Sequence, residues 1–335
     1  MALNRRITIR TIQIALGSLW LLDGLLQLQR QMFTSNFATQ VIAPAAQGQP
    51  AFVSSPIHLF IHIFLWSPAL FNSFVALVQI SLGVLILYNR TVKVGLLASM
   101  AWGLFVWTIG EGYGGIFSSH TILLMGAPGA AILYVLLAWA VLPKIDKTSD
   151  KKRIQYPAFW LVFVWAIVWV GGGVYQLLPG QNSVSDVSSM IAGNASGQPG
   201  WLASLDNHVG SVINGFGNPT TSMSGLHMTT NQMAQMQTQQ NSGYWFILIL
   251  ALVQIAIGFA ILLPKYYRNA AIIFGIIISL VFWVVGQSFG AIFSGLATDP
   301  NSAILFILLA MAILARPSLD EDLNKFFVRA EDIIA

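Results

Sequence analysis

Asp23 and Glu111 are acids set in apolar runs, Trp20-Leu-Leu-Asp23-Gly24-Leu-Leu-Gln27 and Trp107-Thr-Ile-Gly-Glu111-Gly-Tyr113. An acid in the middle of a membrane span costs about 2.5–3.5 kcal/mol on insertion scales, so it marks a functional site by default. Carboxyls so placed can relay protons, ligate a metal or orient a ligand. On a helix, Gln27 lies one turn from Asp23 on the same face, and Trp20 lies nearly one turn the other way. Asp23 and Glu111 are therefore read as catalytic, with Trp20, Gln27, Gln79 and Tyr113 as the wall of a substrate or quinone pocket.

Metal chemistry has two further candidate sets. His58 and His62 are four residues apart, which puts both imidazoles on one helix face, and Asp23 or Glu111 can complete a two-His, one-carboxylate set. Met223, His227, Met228, Met233 and Met236 bring together the thioether and imidazole ligands that suit Cu(I). His120, at the start of the fourth apolar run, reads as a headgroup-level residue. There is no cysteine, which excludes disulfides, thiol redox chemistry and a Cys-ligated iron–sulfur cluster within this chain.

The elements that must position these residues are membrane helices. The 335 residues are 56% hydrophobic and only 8% charged, against about 25% charged in soluble domains. Eight apolar runs approach the roughly 20 residues needed to span a bilayer: about 11–29, 70–89, 93–110, 121–143, 157–178, 243–263, 270–287 and 302–315. With both termini inside, fifteen of the sixteen Lys and Arg residues fall at inside ends, and only Arg30 falls outside. The net charge of +4 is thus a topology signal and not a nucleic-acid footprint. The basic N-terminal flank and first span are expected to stay as an anchor.

The chain also repeats. Trp20, Asp23, Gln27 and Gly48-Gln49-Pro50 recur as Trp169, Gly172, Gln176 and Gly197-Gln198-Pro199, 149 residues later. Gln79 recurs as Gln254, and Gly110-Glu111-Gly-Tyr-Gly-Gly-Ile-Phe-Ser118 as Gly286-Gln287-Ser-Phe-Gly-Ala-Ile-Phe-Ser294. The paired glutamines read as interhelical hydrogen-bond glue. An even number of spans per copy makes the repeats parallel. The expected fold is an all-α integral membrane protein of eight transmembrane helices, arranged as two four-helix bundles, N-in and C-in.

Residues 1–143 form the first copy, with an outside loop 30–69 carrying an interfacial helix over 56–66. Residues 144–156 are a cytoplasmic linker. Residues 157–316 form the second copy, whose outside loop 179–242 holds a polar, Met-rich insertion of roughly 26 residues. Residues 317–335, opening on the capping box Ser318-x-x-Glu321, read as a cytoplasmic amphipathic tail.

Span 1, Ala15-Leu-Gly17-Ser-Leu-Trp20-Leu-Leu-Asp23-Gly24-Leu-Leu-Gln27-Leu, followed by a loop and three more spans, resembles the DoxX/DoxD-like membrane proteins. In that family a four-helix bundle opens on a helix of the form G-x-x-F-x-x-x-G-x-x-K. Each half matches it once, so the chain looks like a fused tandem, although Gln27 stands where the family often has a basic residue. The resemblance implies a quinone-linked redox subunit in the plasma membrane, similar to the membrane subunit of thiosulfate:quinone oxidoreductase. Such a subunit would oxidise a small sulfur compound, with quinone as cofactor and another membrane or outside-facing redox subunit as partner. The alternatives are a non-catalytic scaffold of a membrane complex and a copper-handling or transport protein using the Met/His-rich loop. Neither involves a nucleic-acid partner.

Overall fold

The protein is described here from a computed structural model covering residues 7–118, 122–145, 154–155, 160–178, 183–216 and 230–316. Only the backbone is described for 144–145, 154–155 and 230–242. Eleven α-helices account for most of the described chain: α1 (Ile9–Leu26), α2 (Ala51–Phe64), α3 (Pro68–Leu87), α4 (Val92–Phe105), α5 (Ala130–Ala140), α6 (Trp160–Gln176), α7 (Val184–Gly193), α8 (Gly200–Gly215), α9 (Thr230–Ala260), α10 (Lys265–Val281) and α11 (Ser302–Leu314). Lys144–Ile145 pairs with Ile154–Gln155 in a two-residue antiparallel ladder.

Five helical segments among the described residues are long and apolar enough to cross a membrane: Ile9–Leu26, Pro68–Leu87, Val92–Gly110, Gly243–Ala260 and Lys265–Gly286. Large apolar side chains such as Leu77, Val94 and Ile249 face outward from them, as lipid contact requires. The other apolar runs give shorter helices. The fourth run, expected over 121–143, is α-helical only over Ala130–Ala140, after a single 3₁₀ turn at Leu123–Met125. Gly126 (φ 114°), Pro128 and Gly129 (φ 103°) separate the two, so Ile122, Leu123 and Leu124 belong to a connecting segment and are buried in protein and not in lipid.

The helices pack in the same order in each half. α1 runs along α3, and α6 along α9. A Cβ on Gly24 would lie 2.8 Å from the Ile80 backbone nitrogen, and one on Gly173 would lie 2.6 Å from the Ala251 carbonyl oxygen. Only glycine permits these two crossings. α4 then packs on α5, and α10 on α11. α5 and α11 meet at the centre, and α11 is buried except along the half-exposed stripe Ile304, Ile307, Met311 and Leu314. At the other end of the helices, Arg10 donates to the carbonyls of Ile86 and Leu87, and Arg316 to that of Ala140 (2.9 Å). Both cations thus close the C-terminal ends of helices.

Two loop elements differ from expectation. The helix expected over 56–66 begins at Ala51, with Pro50 as its N-cap and Pro56 in its interior. The Met-rich segment is not a loop throughout, because α9 starts at Thr230 and carries Gln, Met and Ala, all good helix formers, into the span. The tail 317–335, His120 and most of the linker lie outside the described residues.

Candidate functional site

The spans α4 and α10 end in the same way. Each runs into a π-helical turn, Val106–Gly110 or Phe282–Gly286, and then a tight 3₁₀ turn, Gly112–Gly115 or Ser288–Ala291. The residue between the two turns is Glu111 (φ −107°, ψ −2°) or Gln287 (φ −109°, ψ −2°). Left-handed residues follow, Tyr113 at φ 59° and Phe289 at φ 57°. Trp107 Nε1 donates to Pro128 O, and Trp283 Nε1 to Pro300 O, both at 2.8 Å. This unwinding turns the Glu111 side chain toward the start of α5, where both its carboxylate oxygens accept from the Ala131 N–H (3.0 and 3.2 Å). Glu111 so satisfies an orphan donor at a positive helix end. Gly129 must stay small, because a Cβ there would lie 2.2 Å from Glu111 Oε2.

Asp23 and Glu111 line one cavity. Trp20, Gln27, Gln79 and Tyr134 share its wall with Trp102, and Phe37, Val41, Ile42 and Phe60 roof it. The roof comes from the segment before α2 and from α2 itself. Val75, Trp102 and Phe105 line the cavity and also reach the lateral surface between α3 and α4; Phe105 is 40% exposed. Trp20 Nε1 is fixed by Ser99 Oγ (2.8 Å), and its ring sits 4.3 Å from that of Tyr134.

Five other polar atoms on this wall have no hydrogen-bond partner: Asp23 Oδ1, Gln27 Oε1, Gln79 Oε1, Tyr134 Oη and Trp102 Nε1. Tyr134 approaches Asp23 closely enough to act on it, but not in the geometry of a complete hydrogen bond. Buried polar atoms are normally satisfied, so five orphans facing one cavity point to a polar occupant, ligand or water.

A third acid completes the site. Asp299, on the loop before α11, lines the same cavity and acts electrostatically on both Asp23 and Glu111. Thr298 Oγ1 (2.7 Å) and the Asn301 N–H (2.8 Å) donate to its carboxylate. Burial pushes the Asp299 carboxyl above its ordinary 3.8, and these two hydrogen bonds oppose the shift. Among the described residues, no Lys, Arg or His lines the cavity.

The corresponding place in the other half carries no acid: an apolar pocket there is lined by Leu123, Val168, Gly171 and Gly172. Gly172 stands where Asp23 does, and a Cβ there would lie 3.2 Å from Leu123 Cβ. Leu124 covers Gly286, and its carbonyl accepts from Gln287 Nε2 (3.3 Å). Gln287 Oε1 accepts from the Ala303 N–H (3.0 Å), as Glu111 does from Ala131. Gln254 Nε2 donates to Gln176 Oε1 at 3.0 Å, which leaves Gln176 Nε2 and Gln254 Oε1 without partners, whereas Gln27 and Gln79 do not pair at all. Phe306 takes the place of Tyr134. The loop before α5 thus lines the second site, and the loop before α11 reaches the first.

The remaining expected residues sit elsewhere. Tyr113 does not line the cavity; it packs on Trp107 and Phe117. His58 and His62 are exposed on α2, with His62 against Trp66, and the structure does not bring them to the acids. Among the described residues, no group of three or more His, Asp or Glu can hold a metal ion. Met223, His227 and Met228 lie outside the described residues, as do the side chains of Met233 and Met236. A further buried acid, Asp206 on α8, accepts from Ser288 Oγ (2.8 Å) and was not singled out from the sequence.

No protein-family model matches the chain, and neither a curated protein nor a solved structure matches it significantly.

Proposed function

We propose that the chain is a quinone-binding subunit of the plasma membrane, with both termini cytoplasmic. In this reading it is built as two parallel four-helix copies of DoxX-like type, of which the first keeps a site and the second braces it. The observation that carries the reading is the convergence of five unpartnered polar atoms on a cavity that is otherwise apolar and aromatic. A quinone headgroup has this chemistry. It offers a flat ring to Trp20, Trp102 and Phe105, two carbonyls to the Tyr134 and Trp102 donors and, once reduced, two hydroxyls to the Gln27 and Gln79 oxygens. The wall between α3 and α4 supports entry from lipid.

Reduction of a quinone takes two electrons and two protons. Asp23 and Glu111 are the groups placed to exchange those protons. The electrons come from a reduced sulfur compound or a partner redox subunit. Three carboxyls and no cation make the cavity itself unsuited to a thiosulfate dianion, so the electron donor acts from outside it. The acid-free second site favours a scaffold role for the C-terminal half alone. The copper candidates Met223, His227 and Met228, and the side chains of Met233 and Met236, lie outside the described residues.

Calorimetric titration of the purified chain with decylubiquinone tests the proposal. Saturable binding is expected, weakened about tenfold in a Gln27→Leu/Gln79→Leu variant, equal to about 1.4 kcal/mol. In a donor-coupled assay, Asp23→Asn and Glu111→Gln should each lower quinone turnover. Absence of saturable binding, or unchanged turnover in both acid variants, sinks it.

A further inference from the structure

Glu111 and Asp299 belong to two cavities. Besides the inner one, they line a second space, walled by Gly126, Asn301 and neighbouring loop residues before α5 and α11. Val41, Gly110, Glu111, Ala130, Thr298 and Asp299 are common to both. The two spaces differ in kind. The inner one is mostly aromatic and aliphatic, and its deep acid, Asp23, is only 1% exposed. The other is walled by loops, and both shared acids, which line it, are half-buried where Asp23 is fully buried. Tyr134, the other titratable group on the inner wall, and Asp23 line the inner cavity alone.

The geometry points to Glu111 and Asp299 as a proton door: they carry protons between the inner cavity and water in the loop-side vestibule, with Asp299 supplied by the C-terminal half. A proton leaving the cavity is taken by one carboxylate, which becomes a carboxylic acid, and is then released to vestibule water, regenerating the carboxylate. Asp23, which the vestibule does not reach, exchanges through them. The role in turnover rests on the quinone reading, but the connection to water does not.

Carbodiimides add to protonated carboxyls, so they report where each acid can be reached. The folded protein in liposomes is treated with a water-soluble or a lipid-soluble carbodiimide, and the modified residues are identified by mass spectrometry. Glu111 should take both labels, and Asp23 only the lipid-soluble one. Thr298→Phe, which narrows the shared wall, should lose the water-soluble label at Glu111 and keep the lipid-soluble one. A Glu111 closed to the water-soluble reagent, or an Asp23 labelled by it as readily as Glu111, overturns the proposal. The comparison of reagents on the parent chain needs no variant and no quinone. Failure to bind quinone therefore leaves this result standing, and failure to label leaves quinone binding standing.

Discussion

Trp20, Asp23, Gln27, Gln79, Glu111 and Tyr134 surround an open cavity. The residues that stand in the same places of the C-terminal half, Trp169, Gly172, Gln176, Gln254, Gln287 and Phe306, adjoin Leu123 and Leu124 instead. The backbone turns that carry Glu111 and Gln287 agree within a few degrees, so local geometry does not decide which half is acidic. The inserted loop decides it. Leu123 and Leu124 bring only apolar side chains to the C-terminal place, whereas Thr298 and Asp299 bring polar groups and charge to the N-terminal one. One scaffold thus supports both an apolar site and an acidic one, and the acids follow the polar loop.

The sharpest way to break this contrast is to exchange its central residue. Gly172→Asp would place a carboxylate beside Leu123 on a half-exposed stretch of an apolar helix, and should cost about 2.5–3.5 kcal/mol, the insertion cost of an acid within a span. Asp23→Asn should cost no stability, because the parent Oδ1 already lacks a partner. Thermal unfolding in detergent at neutral pH reads both. Of similar size, Leu124→Ala uncovers Gly286 and should cost about 2–5 kcal/mol, with new uptake of a small apolar probe there. A smaller effect separates the glutamine pairs. A double-mutant cycle on Gln176 and Gln254 should give a coupling of about 0.6 kcal/mol, and the same cycle on Gln27 and Gln79 none.

The last effect is in pH. With its carboxyl raised above 3.8, the folded state holds the Asp299 proton more tightly than the unfolded chain does. That contribution is complete below 3.8 and is lost as pH rises through the raised value. Asp299→Asn should therefore match the parent in acid and gain on it as pH rises, read from unfolding midpoints across that range.

Asp23, Gln27 and Gln79 were legible in the sequence because a polar residue inside an apolar helical run has few bland explanations. Asp299 was not. It sits in Thr298-Asp299-Pro300-Asn301, which reads as an ordinary turn at a span end, where an acid costs little. Comparing the halves offers a signal after the fact: Pro128 and Pro300 accept the same tryptophan hydrogen bond, and the residue before each is Ala127 in one half and Asp299 in the other. Asp206 was hidden in a polar segment for a similar reason. The run 121–143 was over-read because hydropathy records that Ile122, Leu123 and Leu124 avoid water, not whether they lie in a helix or pack on a neighbour. The α2 histidines looked like ligands on spacing alone, and spacing does not say which side of a helix faces the bundle.

The crossing of the two loops has a consequence for the chain as a heritable object. Leu123 and Leu124 are encoded in the half they do not line, and Asp299 is encoded in the half whose own site carries no acid. Severed between Ile145 and Ile154, neither fragment would hold a finished interior, and the two would have to be made together to recover one. Changes in either loop are therefore tested by selection at the far half's address, which ties the two halves of the reading frame to a common fate.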